Sequence, residues 1–252
     1  MKIVIDKNHK NSLLELDVLI KNFEEQGTML SDGSRNQIKI FDLKGTEVAI
    51  KAFKVPNFIN KVVYNYFRKS KAQRSFEYAQ QLLEKGIGTP EPVGYAIANE
   101  GLFFGKSYYA CKNLKADLTF RTLIEEENYP DKTEILKQFT RFTFKMHEQE
   151  ILFLDHSPGN TLIVKNEIGY DFYLVDLNRM DFGALDFNTR MENFSRLTPK
   201  KEMIDIMATE YARLGNYDLE ETKTLMWAKA EAFQHKFWRK KAIKKKLKFW
   251  KK

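Results

Sequence analysis

The chain has 252 residues, of which 43% are hydrophobic, enough to bury a sizeable core; a disordered or fibrous protein is thereby excluded. Of the net charge of +8, ten positive charges fall in residues 236–252 with no acid among them, so the rest of the chain sums to −2 and a globally basic nucleic-acid-binding surface is not expected. The lone Cys111 cannot form an internal disulfide, the start "MKIVIDKNHK" is charged, and no stretch reaches the roughly 18 to 20 apolar residues of a membrane span, which together predict a cytoplasmic chain without a signal peptide.

In chain order, "MKIVI" reads as a short strand, and "NSLLELDVLIKNFEEQG" as a helix stopped at Gly27, from the spacing of Leu13, Leu16, Leu19, Ile20 and Phe23. "QIKIFDLKGTEVAIKAF" holds two alternating runs split by Lys44-Gly45, the pattern of a hairpin. "KSKAQRSFEYAQQLLEKGIG" places Phe76, Ala79, Leu82 and Leu83 on one helical face, ended by Gly86 and Gly88, and "EPVGYAIANEGLFFGKSYYACKNL" returns to strands. From about residue 116 helices dominate. "DKTEILKQFTRFTFKMHEQE" aligns Ile135, Leu136, Phe139, Phe142 and Met146, with Asp131 and Thr133 near its start as caps. A loop "LDHSPGN", a hairpin "TLIVKNEIGYDFYLVDL" and further helices complete the chain. Strands first and helices second predict an α+β fold of two lobes: residues 1–113, residues 114–235, and a basic aromatic tail at 236–252.

Singly, the chemistry-bearing residues are ordinary. Lys51 at the end of "VAIK" is by default a solvated strand charge, Glu77 a helix-surface residue, and Asp155 and Asn160 members of a polar loop. Their order is not ordinary. A strand lysine, a helical glutamate 26 residues on, an Asp-x-x-x-x-Asn loop after a long helix and an aspartate closing a hairpin strand are the parts of a phosphoryl-transfer site in sequence.

On these residues the chain resembles the protein-kinase-like superfamily, with its two-lobed fold. More narrowly, "RSFEYAQQLLEKGIGTPEPVGY", "MHEQEILFLDHSPGNTLI" and "VDLNR" resemble the bacterial lipopolysaccharide core-sugar kinases that act on 3-deoxy-octulosonic acid (Kdo) or heptose. The resemblance implies ATP and Mg²⁺ as cofactors, Lys51 on the α- and β-phosphates, Glu77 holding Lys51 by an ion pair, Asp155 accepting or orienting the proton of the acceptor hydroxyl, and Asn160 and Asp176 on the metal. Asp181 begins a second candidate, "DFG" at 181–183. Asp176 is preferred because it ends the apolar run "DFYLVDL", whereas the chain is expected to have left the strands before Asp181.

The chain departs from the protein-kinase pattern in three ways. Phe153 stands where the catalytic loop of protein kinases carries a histidine, no activation segment is evident, and the phosphate-covering loop is only "SDGSRN", where the amides of Gly33 and Ser34 read equally as phosphate contacts or as a plain turn. The four histidines show no metal-ligand spacing. His147 reads as a core or helix-end histidine, and His156 as either a loop residue or a substrate contact. On a helical wheel the tail gathers Trp238, Ile243, Leu247 and Trp250 on one half against lysines on the other. It reads as a membrane-surface helix on anionic lipid, a disordered basic tail, or a nucleic-acid contact, in that order.

The expectation is therefore a kinase with an alcohol group as acceptor, phosphorylating a lipid-linked sugar at the inner face of the cytoplasmic membrane, with no nucleic-acid partner. The alternatives are a soluble phosphotransferase of the choline or aminoglycoside type and a non-catalytic pseudokinase.

Overall fold

The computed structural model describes residues 1–33, 36–54, 69–100 and 103–249. They form two units, one of Met1–Lys115 with Asp176–Arg179 and the other of Ala116–Val175 with Met180–Lys252.

The first unit is built on an antiparallel sheet of six strands, β1 (Lys2–Ile5), β2 (Thr28–Asp32), β3 (Asn36–Leu43), β4 (Thr46–Phe53), β5 (Pro92–Glu100) and β6 (Phe103–Lys112), in the order β1-β5-β6-β4-β3-β2. The β3–β4 hairpin turns at Lys44 (φ 55°) and Gly45 (φ 81°), both left-handed as a two-residue turn that matches strand twist requires, and Asp42 Oδ1 accepts from the Gly45 N–H at 3.0 Å. Alternation then sends Val48, Ile50 and Ala52 into a core shared with Leu16, Ile20 and Phe23, contributed by helix α1 (Leu13–Lys21) and the turn after it, and turns Lys51 to the other face. The predicted helix is thus shorter than expected, preceded by a 3₁₀ segment at Lys7–Ser12. Beyond α1, the buried Lys39 donates to the carbonyls of Phe23 (2.7 Å), Glu24 (3.0 Å) and Gln26 (3.0 Å), satisfying carbonyls that a helix end leaves open. Gly94 lets β1 and α1 approach: a Cβ there would lie 2.6 Å from the Val4 carbonyl oxygen.

Helix α2 (Lys71–Glu84) starts at Ser70, whose hydroxyl accepts from the Gln73 N–H at 3.0 Å, and buries Ala72, Phe76, Ala79 and Leu82 against β5 and β6, with Phe76 5.4 Å from the Tyr95 ring. Gly86 (φ 68°) ends it, and the Ile87 N–H reaches back to the Leu82 carbonyl at 2.8 Å. Phe76 and Leu82 each contribute about 1.5–3 kcal/mol by burial.

The second unit is mainly helical: α3 (Phe120–Glu125), α4 (Lys132–Glu148), α5 (Phe187–Glu192), α6 (Lys201–Gly215) and α7 (Leu219–Phe249). They are accompanied by a sheet of β10 (Tyr170–Leu174), β9 (Thr161–Lys165) and β7 (Leu118–Thr119), and by a two-stranded ladder of β8 (Ile151–Phe153) with β11 (Met180–Phe182). Ile135, Leu136 and Phe139 of α4 meet Phe172, Phe194, Met207 and Tyr211 in one core. Asp131, expected as the cap of α4, makes no capping bond; it adopts φ 57° and accepts from the Tyr170 hydroxyl at 3.2 Å. Among the described residues no helix is long and apolar enough to cross a membrane.

Candidate active site

In the first unit the face of β4 opposite the core presents Lys51, whose ammonium lies 2.7 Å from Asp176 Oδ1, with the lysine side chain 14% exposed and the aspartate 28%. The same Oδ1 accepts from Asn178 Nδ2 at 2.6 Å. Asp176 holds a left-handed backbone (φ 61°), a conformation that aspartate tolerates better than most residues. The turn is anchored from α2, where the buried Arg74 donates to the Asn178 carbonyl at 2.7 Å. Lys71, one helical turn before, has its ammonium pushed below its ordinary value by burial, with Asp176 opposing and Arg179, Lys51 and Arg74 adding to the fall. One carboxylate therefore shares its surroundings with four cationic side chains, an excess suited to a polyanion.

In the second unit β8 leads into the loop that carries Asp155 and Asn160. The loop is tied at each step: His156 N–H to the Phe153 carbonyl (3.2 Å), Asn160 N–H to that of Ser157 (2.9 Å), and Arg121 N–H to that of Pro158 (3.0 Å). Asn160 Nδ2 donates to the Asp155 carbonyl at 2.8 Å, so its amide oxygen is the atom left for a cation. The Val175 N–H donates to the Asn160 carbonyl at 3.0 Å. Asp155 Oδ1 pairs with Arg196 at 2.8 Å.

Beneath the loop is a buried polar network. His147 Nδ1 meets the Tyr211 hydroxyl at 2.9 Å, and Asn193 Oδ1 lies 3.1 Å from His147 Nε2 and 3.2 Å from His156 Nδ1. Asn193 Nδ2 donates to the Phe153 carbonyl at 2.9 Å. Burial lowers His147 to about 4 and His156 to about 3, so both are neutral at pH 7. His147 is the core histidine expected, and His156, wholly buried, takes the reading of a loop support rather than a substrate contact. Among the described residues no three His, Cys, Asp or Glu side chains cluster as a metal site.

No family model matches the chain, and no curated protein does. Among solved structures it is similar to WaaP in complex with acyl carrier protein, at 15% identity, a TM-score of 0.60, and coverage of 92% of this chain and 99% of that one. The fold is protein-kinase-like. It is α+β, with a strand-rich N-terminal unit and a helical C-terminal one, as the order of strands and helices predicts.

Of the expected site residues, Lys51 and Asp176 are brought together, and Asp155 and Asn160 share one loop. Glu77 is not on Lys51. Its carboxylate is taken by Lys69 at 2.8 Å and by Gln73, four residues back on α2, at 3.0 Å; these near partners order less chain, and Lys51 has Asp176 instead. Gly33 follows β2 and its N–H donates to the Asn36 carbonyl at 3.1 Å, the geometry of a turn, while Ser34 lies outside the described residues. Asp181 is in β11, paired opposite Leu152, so the chain re-enters a strand there; the three-residue ladder forms through β8, a partner that local periodicity does not show. Asp181 is exposed on that short strand. Sequence reasoning missed Lys71, Arg74 and Arg196. The clue to the first two was their spacing of three on the helix that also carries Glu77, and the clue to Arg196 was the absence of any cation from Asp155 to Asn160.

Proposed function

We propose that the chain is an ATP-dependent phosphotransferase with an alcohol group as acceptor, acting on a Kdo or heptose residue of a lipid-linked lipopolysaccharide inner-core acceptor at the inner face of the cytoplasmic membrane. The observation that carries this reading is the Lys51–Asp176 pair at 2.7 Å within a neighbourhood rich in cations, in a chain whose fold is protein-kinase-like.

In this reading Lys51, with Lys71 and Arg179 nearby, neutralises the phosphates of ATP, and Glu77 steadies Lys51 once its present partners are exchanged. The Asp176 carboxylate and the Asn160 amide oxygen are hard donors of the kind that Mg²⁺ takes. The cation supplies charge neutralisation of the transferred group. Asp155 receives the hydrogen bond of the acceptor hydroxyl and directs its lone pair at the phosphoryl group, where positioning and electrostatics account for most of the rate. The exposed Phe237, Trp238 and Ile243, with Lys241 4.7 Å over the Trp238 ring, support contact of residues 236–252 with anionic lipid, where aromatic and basic side chains are both favoured.

The test is ADP release with ATP–Mg²⁺ and a panel of acceptors: Kdo-bearing and heptose-bearing lipid A precursors, choline and an aminoglycoside, with product mass confirming transfer. Turnover on the lipid-linked sugars supports the reading. Turnover confined to choline or the aminoglycoside replaces it with the soluble phosphotransferase, and nucleotide binding without turnover on any acceptor replaces it with the pseudokinase.

A further inference from the structure

The stretch Asp155-His156-Ser157-Pro158-Gly159-Asn160 contains no lysine or arginine. A carboxylate with no cation in its own loop has one nevertheless, 41 residues on. Arg196 Nη1 lies 2.8 Å from Asp155 Oδ1 and donates, with the same nitrogen, to the Leu154 carbonyl at 2.9 Å. One guanidinium nitrogen thus grips the side chain of Asp155 and the backbone just before it.

Arg196 is itself held from two directions. Its neighbours Phe194 and Leu197 are fully buried in the helical core, and the Leu197 N–H donates to the Phe194 carbonyl at 3.1 Å, a tight turn that leaves Arg196 as the residue directed outward between two anchors. On its far side the guanidinium lies 5.6 Å from the centroid of the Phe233 ring of α7, a planar cation over an aromatic face. The same turn carries Asn193, which fastens the Phe153 carbonyl. Residues 193–196 therefore hold the strand end, the backbone and the carboxylate of the Asp155 loop at three successive residues.

We propose that Arg196 is the positioning residue that sets the Asp155 carboxylate for phosphoryl transfer, with Phe233 as its platform. The proposal rests on the kinase reading of Asp155. With Oδ1 engaged by Arg196, rotation of the carboxylate about its Cβ–Cγ bond is restricted, and Oδ2 is the oxygen presented to an acceptor hydroxyl. A carboxylate so fixed contributes through orientation, and displacement by about 1 Å is enough to cost about a hundredfold. Arginine suits this task because its planar guanidinium keeps its direction and lies over the Phe233 ring, whereas a lysine ammonium sits on a flexible stem and has no planar face to stack there.

The test compares wild type, Asp155→Ala, Arg196→Ala, Arg196→Lys, Phe233→Ala and the double variant Asp155→Ala/Arg196→Ala, using ADP release with ATP–Mg²⁺ and a Kdo-bearing lipid A precursor, and thermal melting of each. Arg196→Ala should lower kcat by about 30- to 100-fold with the KM for ATP within about threefold, and added guanidinium ion should restore at least about fivefold of the loss. Phe233→Ala, which leaves the ion pair in place, should lower kcat by about 3- to 10-fold. The double variant should be no slower than Asp155→Ala within about twofold, since residues acting as a unit are not additive. Arg196→Lys should fall between wild type and Arg196→Ala, and it carries the comparison if Arg196→Ala does not fold.

If Asp155→Ala is inactive while the Arg196 variants keep kcat within about threefold of wild type, Arg196 has no positioning role. Loss in Arg196→Ala that guanidinium does not relieve, together with a lowered melting temperature, would make Arg196 a structural tether and also overturn the proposal. Full turnover in Asp155→Ala would instead remove the kinase reading of Asp155, and the role of Arg196 with it.

Discussion

Acidification should destabilise the helical unit through the pair His147 and His156. Both have folded pKa values depressed by burial, to about 4 and about 3, from 6.5 in the free side chain. Between those limits the unfolded chain binds protons that the folded chain does not, so stability present above pH 6.5 is lost as pH falls towards 4 and then 3. At pH 5 each histidine then costs about 2 kcal/mol relative to pH 7, from the protons it would take up if released. Protonation would also give His147 a second N–H donor where Tyr211 and Asn193 already compose its contacts, at 2.9 and 3.1 Å. The assay is urea unfolding followed by far-UV circular dichroism at pH 7 and pH 5, for wild type, His147→Gln and His156→Gln. Carboxylates titrate alike in all three, so the difference isolates the histidines. Wild type should lose about 2 kcal/mol more than either variant across this interval. Equal losses in all three would refute the reasoning.

Asp176→Asn should lower turnover by at least about a hundredfold, as loss of a fixed electrostatic partner does, while Asp181→Asn on β11 should leave it within about twofold; steady-state kinetics that rank them the other way would move the metal to Asp181. Lys39→Met should destabilise the sheet unit by about 2–3 kcal/mol, because three carbonyls bonded to a charged donor lose it inside the protein, and hydrogen exchange of β3 amides reads the effect. Deleting residues 236–252 should abolish most co-sedimentation with anionic vesicles at low salt, each basic residue contributing about 1 kcal/mol at the surface; equal sedimentation of both chains would separate the tail from lipid binding. Residues 236–245 are exposed, so the deletion should leave the melting temperature nearly unchanged.

Much of the fold is legible because its signals are local. The hairpin of β3 and β4 is written in two alternating runs around Lys44-Gly45, and α2 and α4 in apolar residues at helical spacing. β2 is not: all five of its residues are exposed, and "TMLSD" has no alternation to read, so only its pairing with β3 makes it a strand. The site divides in the same manner. The order of Lys51, Asp155, Asn160 and Asp176 along the chain singles them out, but which cation meets which carboxylate depends on distances set by the sheet and helices. Glu77 therefore closes on Lys69 and Gln73, and Arg196 meets Asp155 across 41 residues, a separation that no motif spacing contains.

Two aspartates are each held by a cation within their own unit, at nearly the same distance, and the chemistry of the two cations differs. Lys51 is a compact ammonium on a flexible stem, and Asp176 keeps Asn178 at 2.6 Å if the lysine leaves. In the proposed kinase reading that pair is exchangeable: an arriving phosphate would take Lys51 without leaving Asp176 bare. Arg196 is anchored by the Leu154 carbonyl and by the Phe233 ring, and its departure would strip Asp155 of its sole cationic partner among the described residues. That pair is built to persist. Exchanging the cation types should therefore fail in opposite ways. Lys51→Arg, with a bulkier and planar head, should raise the KM for ATP by about tenfold or more, whereas Arg196→Lys should lower kcat with the KM for ATP nearly unchanged. Initial-rate kinetics over a range of ATP concentrations separate the two, and a common defect in both variants would mean that the two ion pairs serve stability alone.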